Sequence, residues 1–500
     1  MKKKILLCLA LLLCGCQTKQ EVVSNENSSI VYEIFPYSFY DTDSNGVGDL
    51  KGITSKLDYI QSLGAGYIWL TPISQSTTYH KYDVVDYMSI DKQFGTMEDF
   101  DELVSEAKNR NIGIVFDLVL NHTSSNHPWF EQAQDDLLKN RCNEEGNMCN
   151  WYNFSKEKKT GYTIMGGGYY YESVFWSGMP DLNLDEPAVR DEIEKIVKFW
   201  IDRGVSGFRL DAPLHYYNSN TTKNNEFLTW LEGVIKKYDE NSFLVGEVWS
   251  DTGTILNHYE SDFDSFFNFA GSSSNGRIVS SIRNGNGEGL ANWFVTYNQN
   301  MKEINPDAID SVFLSNHDQG RSGAFFGKQI EKTKLMTSVL LLAPGRVYVY
   351  YGEEIGMLGS GDDPNKRTPM LWSSEDKTGM TYNPPGVNYS NQVDTSVEIQ
   401  DKDKESLLNH YRKVANIRNK STLYETGKIE SIKVDESIYA MKFYDDNDSL
   451  IVYHNFSEEV KTITIDYEFN SFDTTNKQNK IKNNTLTIQP LSSVVVYLGE

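Results

Sequence analysis

Short apolar runs alternate with amphipathic stretches along most of the chain. The apolar runs have the length of β-strands, and eight of them stand out: 30–35, 67–70, 112–120, 207–211, 243–247, 263–267, 311–315 and 347–351. Between these runs apolar residues recur at helical spacing, as at Phe100, Leu103, Val104 and Ala107. Strand–helix alternation over this length predicts an α/β fold, a parallel (β/α)8 TIM barrel.

Two stretches depart from the alternation. Residues 121–184 are polar, rich in Gly and Tyr and without helical period, which predicts a loop-rich domain inserted after the third strand. Beyond about residue 420, apolar and polar positions alternate, which predicts a C-terminal antiparallel β-sandwich. The predicted organisation is a signal peptide at 1–15, a flexible tether at 16–29, the barrel at 30–120 and 185–420, the inserted domain at 121–184 and the sandwich at 421–500.

The first residues have the composition of an export signal. Three lysines precede an apolar run at 5–13 that is too short to span a bilayer. The run ends in Leu-Cys-Gly-Cys, which resembles a bacterial lipobox and implies that Cys16 is acylated and anchors the protein at the extracellular face of the membrane. Simple cleavage and secretion is the alternative. Outside the cytoplasm, Cys142 and Cys149 are predicted to form a disulfide.

The charge of the chain restricts its partners. The formal net charge of −23 repels nucleic acid and anionic lipid headgroups, so membrane contact is expected only through the lipid on Cys16. A neutral ligand or a cation is the better expectation. Aromatic residues make up 13% of the chain, which is enough to form flat stacking surfaces in addition to a core.

Charged residues lie where predicted strands end. Arg209 and Asp211 are two residues apart and therefore project to the same face of the fourth strand. An Arg beside a buried Asp favours the ionised carboxylate, which a covalent nucleophile for acetal chemistry requires. Taken alone, the pair also fits a purely structural ion pair. Glu247 ends the fifth strand among apolar neighbours, which raises a carboxyl pKa towards the range of a general acid.

Four strand ends carry sequence motifs that resemble a known family. The stretches DLVLNH at 117–122, GFRLD at 207–211, GEVW at 246–249 and FLSNHD at 313–318 resemble the signature segments of the α-amylase family of glycoside hydrolases. MPDLN at 179–183 resembles a further segment in the family's inserted domain, and the resemblance covers residues 30–500. It implies that Asp211 is the nucleophile, Glu247 the general acid/base and Asp318 a transition-state stabiliser. It also implies sugar contacts from His80, Tyr82, His122, Arg209, His317, Asp363 and Arg367.

An acidic loop follows the first strand and predicts a bound Ca²⁺. Oxygen-bearing side chains at alternate positions, with Gly46 for the turn, match the first half of an EF-hand loop, but the twelfth position is Gly52 instead of Glu. The predicted ligands are Asp41, Asp43, Asn45, the carbonyl of Val47, and Asp49. An Asx-rich turn without metal is the alternative. The sequence leaves open whether a second calcium is bound by Asn121, Asp181 and the carbonyl of His215.

The resemblance implies a monomeric retaining hydrolase that cleaves internal α-1,4 bonds of starch-like glucans and maltooligosaccharides. Ala212 resembles the residue of α-1,4-acting members, whereas Leu214 replaces a Lys that many members use on the leaving-group side. An oligo-1,6-glucosidase, another exo-acting or transglycosylating member, and an inactive glycan-binding protein are the alternatives. Aromatic residues of the inserted domain are expected to wall an extended cleft: Trp151, Tyr152, Tyr169, Tyr170 and Trp176.

Overall fold

The structure is a computed structural model that describes residues 28–499. The predicted signal peptide and the tether through residue 27, including Cys16, lie outside the described residues. Within 28–499, no helix is both long and apolar enough to cross a membrane.

The first part of the barrel alternates as the sequence predicts. Its elements are β1 (Ile30–Ile34), α1 (Leu50–Ser55), α2 (Leu57–Ser62), β2 (Tyr67–Leu70), β3 (Gln75–Ser76), β4 (Val84–Asp86), α3 (Met97–Lys108) and β5 (Gly113–Leu118). Helix α3 is capped by Thr96, whose side chain accepts from the backbone of Asp99 in a capping box. Its buried face is Phe100, Leu103 and Ala107, as the helical period predicts.

The insertion contains a helix that the sequence analysis missed. Its elements are α4 (Pro128–Leu138), β6 (Phe154–Ser155), β7 (Tyr162–Ile164) and β8 (Tyr170–Glu172). One position of the buried face of α4 is a charged residue, Asp136, so the apolar period is interrupted. Asp136 is compensated by Arg141 at 2.9 Å and by the backbone N–H of Met148 at 3.0 Å. The structure also joins Cys142 and Cys149 in the predicted disulfide.

The second part of the barrel completes the ring of strands. Its elements are α5 (Pro187–Asp202), β9 (Gly207–Leu210), α6 (Thr221–Tyr238), β10 (Phe243–Gly246), α7 (Thr252–His258), β11 (Ser265–Phe266), α8 (Arg277–Asn284), α9 (Gly287–Ile304), β12 (Ser311–Phe313), α10 (Ile330–Leu341) and β13 (Arg346–Tyr350). Four further helices lead out of it: α11 (Asp363–Lys366), α12 (Val397–Lys402), α13 (Leu407–Arg418) and α14 (Leu423–Thr426).

The eight predicted barrel strands are confirmed. They form one parallel sheet in the order β11-β10-β9-β5-β2-β1-β13-β12. A parallel bridge between Phe267 and Ser311 brings the two outer strands together and nearly closes the barrel. Parallel strands place all their carboxyl ends at one mouth, so the polar residues that follow β1, β5, β9, β10 and β12 lie at the same end of the barrel.

The C-terminal region packs two antiparallel sheets. Its strands are β14 (Lys428–Ser431), β15 (Ile438–Tyr444), β16 (Ser449–Asn455), β17 (Lys461–Thr464), β18 (Phe469–Thr474), β19 (Lys480–Lys482), β20 (Thr485–Ile488) and β21 (Ser493–Leu498). Alternate residues of β15 face opposite ways: Ile438 and Ala440 join the core between the sheets, whereas Met441 and Phe443 join the barrel core. The predicted antiparallel sandwich is therefore confirmed, and one of its sheets is buried on both faces.

Candidate active site

One guanidinium group lies at the centre of the barrel mouth. Arg209, on β9, is completely buried. Its Nη1 lies 2.8 Å from Asp117 Oδ1 and 2.9 Å from Asp211 Oδ1, while its Nη2 lies 2.6 Å from Glu247 Oε2. A buried cation of this kind needs anionic and hydrogen-bond-accepting partners, and three carboxyl groups from the ends of three adjacent strands provide them. Two of the three are the residues predicted as nucleophile and general acid.

A turn in an uncommon backbone conformation fixes the end of β9. Ala212, directly after Asp211, adopts the left-handed conformation with φ 48° and ψ 44°. This conformation costs a non-glycine residue about 1–2 kcal/mol, and such positions concentrate at functional sites. The backbone N–H of Asp211 still donates to the carbonyl of Leu118 at 3.2 Å. Asp211 is therefore held at the strand edge immediately before the chain turns away.

Glu247 has the environment of a carboxylic acid that stays protonated near neutral pH. Burial, together with the charges of Asp211 and Asp318, raises the pKa of Glu247 to about 8 against the opposing charge of Arg209. Its Oε2 faces Arg209, whereas its buried Oε1 has no hydrogen-bond partner among residues 28–499. A buried polar atom without a partner is costly, so Oε1 is a candidate for a hydrogen bond that the protein itself does not supply.

Asp318 lies between two cationic side chains. Its Oδ2 is 3.0 Å from His317 Nε2 and its Oδ1 is 2.5 Å from Arg367 Nη2. Burial opposes ionisation, but the charges of His317, Arg367 and Arg209 hold the pKa of Asp318 well below its usual range. Its side chain is 24% exposed, so this carboxylate is anionic and accessible at the same time.

Two further predicted residues close one wall of the site. The ring of Tyr82 stacks on that of His317 at 5.5 Å with 11° between the planes. The Tyr82 hydroxyl lies 3.1 Å from Asp117 Oδ2 and 2.7 Å from His317 Nε2. His122 donates from Nε2 to the carbonyl of Tyr82 at 3.2 Å, and burial lowers the pKa of His122, which favours the neutral imidazole.

The remaining predicted residues extend this wall outward. The backbone N–H of Tyr82 donates to His80 Nδ1 at 3.2 Å, and burial and the charge of Arg367 lower the pKa of His80 to about 4. Arg367 also donates to the hydroxyl of Tyr79 at 3.0 Å and lies 3.5 Å from Asp363 Oδ2. The structure thus brings all ten predicted catalytic and sugar-binding residues to one end of the barrel, and their individual roles stay predictions.

A cavity beside Asp318 was not predicted from the sequence. It has a volume of about 500 Å³ and lies between residues 249–252, the loop after β11 and residues 318–320. Trp249 lines it with half of its surface exposed, 51%, and stacks on Phe269 at 5.3 Å with 12° between the planes. An exposed Trp supported by a second ring is a flat apolar platform, and it shares this cavity with Asp318. The GEVW motif contained this residue, but the motif does not say which way it faces.

The expected aromatic wall of the inserted domain is partly wrong. Trp151 and Tyr152 are buried in the core of the insertion, against Trp129 and Phe130 of α4, and so do not present exposed faces to a substrate. The missed helix α4 explains the error, because it supplies the surface that these rings cover. Exposed rings are present nearby at Phe175 and Trp176, and Phe175 contacts the rings of His122 and His215.

The acidic loop after β1 gathers its three aspartates. Carboxylate oxygens of Asp41, Asp43 and Asp49 all lie within 4.8 Å of one another. Asp41 accepts from the backbone N–H groups of Ser44 and Gly46, both at 2.7 Å, and Asp49 caps α1. Asn45 and Val47 hydrogen-bond to each other, with the Val47 N–H donating to the Asn45 side chain at 2.7 Å.

The groups considered for a second calcium hydrogen-bond within the protein. Asn121 donates to Asp181 Oδ1 at 3.1 Å, and the carbonyl of His215 accepts from the backbone of Asn218 at 3.2 Å. Burial raises the pKa of Asp181 to about 7, assisted by the nearby charge of Glu172. Glu172 also accepts from the side chain of Asn218 at 2.5 Å, which joins the insertion to the barrel.

Comparison with known proteins identifies the family. Residues 33–427 match the family described as alpha amylase, catalytic domain, and residues 438–495 match the alpha-amylase SusG C-terminal domain. Alpha-amylase 3 of Dictyoglomus thermophilum is 38% identical over 486 residues, 94% of this chain and 93% of its own. The oligo-1,6-glucosidase of Parageobacillus thermoglucosidasius is 30% identical over 86% of this chain and 90% of its own.

A solved structure agrees with these matches. Eubacterium rectale Amy13B superimposes with a TM-score of 0.90 at 36% identity, covering 96% of this chain and 97% of that one. The strand-end motifs, the three carboxyl groups around Arg209 and the two domain matches all agree. The chain belongs to the α-amylase family of glycoside hydrolases.

Proposed function

We propose that this protein is a retaining hydrolase that cleaves internal α-1,4 bonds of starch-like glucans and maltooligosaccharides. One observation carries the proposal: Arg209 contacts both Asp211 and Glu247, and Glu247 keeps its buried Oε1 without a partner among residues 28–499. A retaining glycosidase needs an ionised carboxylate and a protonated one flanking the scissile bond, and this arrangement supplies candidates for both.

The residues have separate tasks in the two steps. Asp211 attacks the anomeric carbon and forms a glycosyl ester, while Glu247 gives its proton to the departing glycosidic oxygen. Glu247 then takes a proton from water, which attacks the same carbon and releases Asp211. Asp318 remains anionic beside the sugar and stabilises the oxocarbenium-like charge of both transition states.

The cavity at Trp249 supports attack within a chain. The acid protonates the leaving group, so surfaces just beyond Glu247 face the leaving-group sugars. The Trp249–Phe269 platform and the adjoining 500 Å³ cavity offer that side a stacking surface, which compensates for Leu214 in place of the family's Lys. The relative named alpha-amylase is also more similar to this chain than the oligo-1,6-glucosidase, at 38% against 30% identity.

A blocked substrate tests the proposed mode of attack. A chromogenic maltoheptaoside closed at its non-reducing end should be cleaved, because an open cleft admits an internal bond. Isomaltose and panose should be cleaved far more slowly at their α-1,6 bonds. The reverse pattern would assign the protein to the oligo-1,6-glucosidases, and no release of reducing sugar from any substrate would make it a binding protein.

The substitution Trp249→Ala tests, in the same assay, whether the Trp249–Phe269 platform binds the leaving-group sugars. The variant should lose about tenfold in kcat/KM on the long blocked substrate, as expected for one stacked ring. It should lose little on a short aryl glycoside with no sugar beyond the cleaved bond. Equal losses on both substrates would contradict the placement of the platform.

We propose that the acidic loop binds Ca²⁺. Three carboxylates within 4.8 Å repel each other unless a cation lies between them, and an all-oxygen donor set suits calcium. The loop also ties distant segments together, since Gly46 accepts from the backbone of Tyr382 at 2.7 Å and Asp41 donates to Gly379 at 3.0 Å. Calcium bound here would stabilise this junction without taking part in the chemistry.

Removal of calcium should lower the melting temperature by several degrees. A ligand that binds only the folded state stabilises it, so its removal lowers the melting temperature. Calorimetry of the protein after chelation, and again after calcium is added back, measures the change. Asp43→Asn keeps the acceptor of the Asn45 N–H but removes a negative charge, so it should weaken calcium binding. Magnesium should not restore the melting temperature of the chelated wild type or of the variant. An unchanged melting temperature after thorough chelation, with no metal in the protein, would refute the site.

We propose that the protein is a lipoprotein at the extracellular face of a bacterial membrane. The support is the lipobox-like sequence that ends at Cys16. Cys16→Ser should move the protein from the membrane fraction to the soluble fraction, whereas Cys14→Ala should leave it at the membrane. Fractionation and mass spectrometry of the mature N-terminus measure both. Soluble wild-type protein with an unmodified N-terminus would contradict the anchor.

A further inference from the structure

A buried glutamate lies behind the site and has no role in the steps above. Glu33 is on β1, where it pairs in register with Trp69 and Tyr350, and its side chain is 1% exposed. Its Oε1 lies 2.6 Å from His317 Nδ1 and also accepts from the backbone N–H of His317 at 3.2 Å. A single carboxylate oxygen therefore fixes both the backbone and the ring of His317.

This contact places an imidazole between two carboxylates. The opposite ring nitrogen of His317, Nε2, lies 3.0 Å from Asp318 Oδ2, and the ring is completely buried. A neutral imidazole carries one proton, so one of its nitrogens would direct a lone pair at an anion. The Tyr82 hydroxyl lies 2.7 Å from the same Nε2, but it donates its proton to Asp117 Oδ2 at 3.1 Å and so accepts from the ring. Only the imidazolium donates towards both carboxylates.

We propose that Glu33 is a positioning residue that keeps His317 protonated on both ring nitrogens, so that His317 holds Asp318 and the Tyr82 ring in place against the reacting sugar. The second part rests on the proposed function, whereas the protonation of His317 does not. Glu33 itself is too buried to touch substrate, with a side chain that is 1% exposed, and it reaches the site through His317.

The surrounding charges do not all favour this state. Burial and the cation Arg367, whose Nε donates to the carbonyl of His317 at 3.0 Å, oppose a second positive charge. The acids Asp117 and Glu247 are near enough to interact with His317, but both contact Arg209. Despite burial, Asp318 and Glu33 raise the pKa of His317 to about 10.

Glu33→Gln removes the charge and keeps the shape. The amide oxygen can still accept from the ring and the backbone of His317, but the imidazole then faces one carboxylate instead of two. His317 should titrate nearer its ordinary range, below the pKa of about 8 at Glu247. The alkaline limb of kcat/KM should move to lower pH by about one unit, a loss of about fivefold at pH 8, with a smaller loss at pH 6.

A second buried glutamate provides a matched control. Glu354 accepts from the hydroxyls of Tyr32 at 2.7 Å and Tyr59 at 2.6 Å and contacts none of the site residues named here. Glu354→Gln should lower stability to a similar degree and leave the pH profile where it is in the wild type. Equal shifts in both variants, or no shift in Glu33→Gln, would overturn the proposal.

The protonation state is also measurable without a Glu33 variant or an activity assay. Spectra of the protein labelled with 15N-histidine, with the His317 signals assigned by their loss in His317→Gln, report each ring nitrogen. His317 should be an imidazolium at pH 8 in the wild type. A neutral ring at pH 8 would refute the proposal even if Glu33→Gln failed to fold, and would do so whether or not the protein hydrolyses α-glucans.

Discussion

Asp211→Asn should reduce kcat on starch-like glucans by about 10⁴-fold or more, equivalent to about 5.5 kcal/mol of lost transition-state stabilisation. The amide is a poor nucleophile and cannot form the glycosyl ester. The effect should be chemical and not structural, because the amide oxygen can still accept from Arg209 Nη1, which lies 2.9 Å from Asp211 Oδ1. Steady-state release of reducing sugar measures the loss.

The same substitution at another buried aspartate serves as the control. Asp310 precedes β12, at the opposite end of the strand from the site, and its Oδ2 accepts from Asn268 at 2.9 Å. Asp310→Asn should keep kcat within about twofold of the wild type, as expected for a residue outside the reacting constellation. If Asp211→Asn kept activity within tenfold of the wild type, Asp211 would not be the nucleophile.

Glu247→Gln should be almost as damaging on natural glucans, with a loss of about 10³-fold or more. The amide cannot protonate the departing oxygen, and a sugar alcohol leaves poorly without a proton. Fluoride leaves without protonation, so α-glycosyl fluorides should recover much of the first step. A variant that loses the same factor on glucans and on fluorides would not have lost a general acid.

The pH profile provides a second test of Glu247. The acid must be protonated before cleavage, and burial raises the pKa of Glu247 to about 8. The kcat/KM of the wild type should therefore be maintained up to about pH 8 and fall as pH rises above it. Glu247→Gln acting on a glycosyl fluoride should lack this alkaline limb.

The barrel was predictable because its strands are buried on both faces and read as continuous apolar runs. The helix α4 was not predictable from its apolar pattern, because Asp136 occupies its buried face. The charge of Asp136 is neutralised by Arg141, which follows the helix. The aromatic residues of the insertion show the same limit. Trp151 is buried in the core whereas Trp176 is exposed, and nothing in their local sequence distinguishes the two.

The candidate site followed from the strand ends, but its supporting contacts did not. Arg209 and Asp211 are two residues apart, so their shared face is a local property of a strand. Glu33 and His317 are 284 residues apart and meet only because β1 and the loop after β12 reach the same barrel mouth. Trp249 stood inside a recognised motif, but its exposure depends on the loop after β11, which places Phe269 behind it.

The covalent intermediate is the central claim, and trapping it is the most direct test. The wild type would be incubated with a fluorinated maltosyl fluoride, whose ring fluorine slows both steps and whose good leaving group restores the first. Mass spectrometry of the digested protein should then show the added maltosyl mass on Asp211 alone. A label on any other carboxylate, or turnover of the reagent by inversion with no labelled protein, would contradict the account.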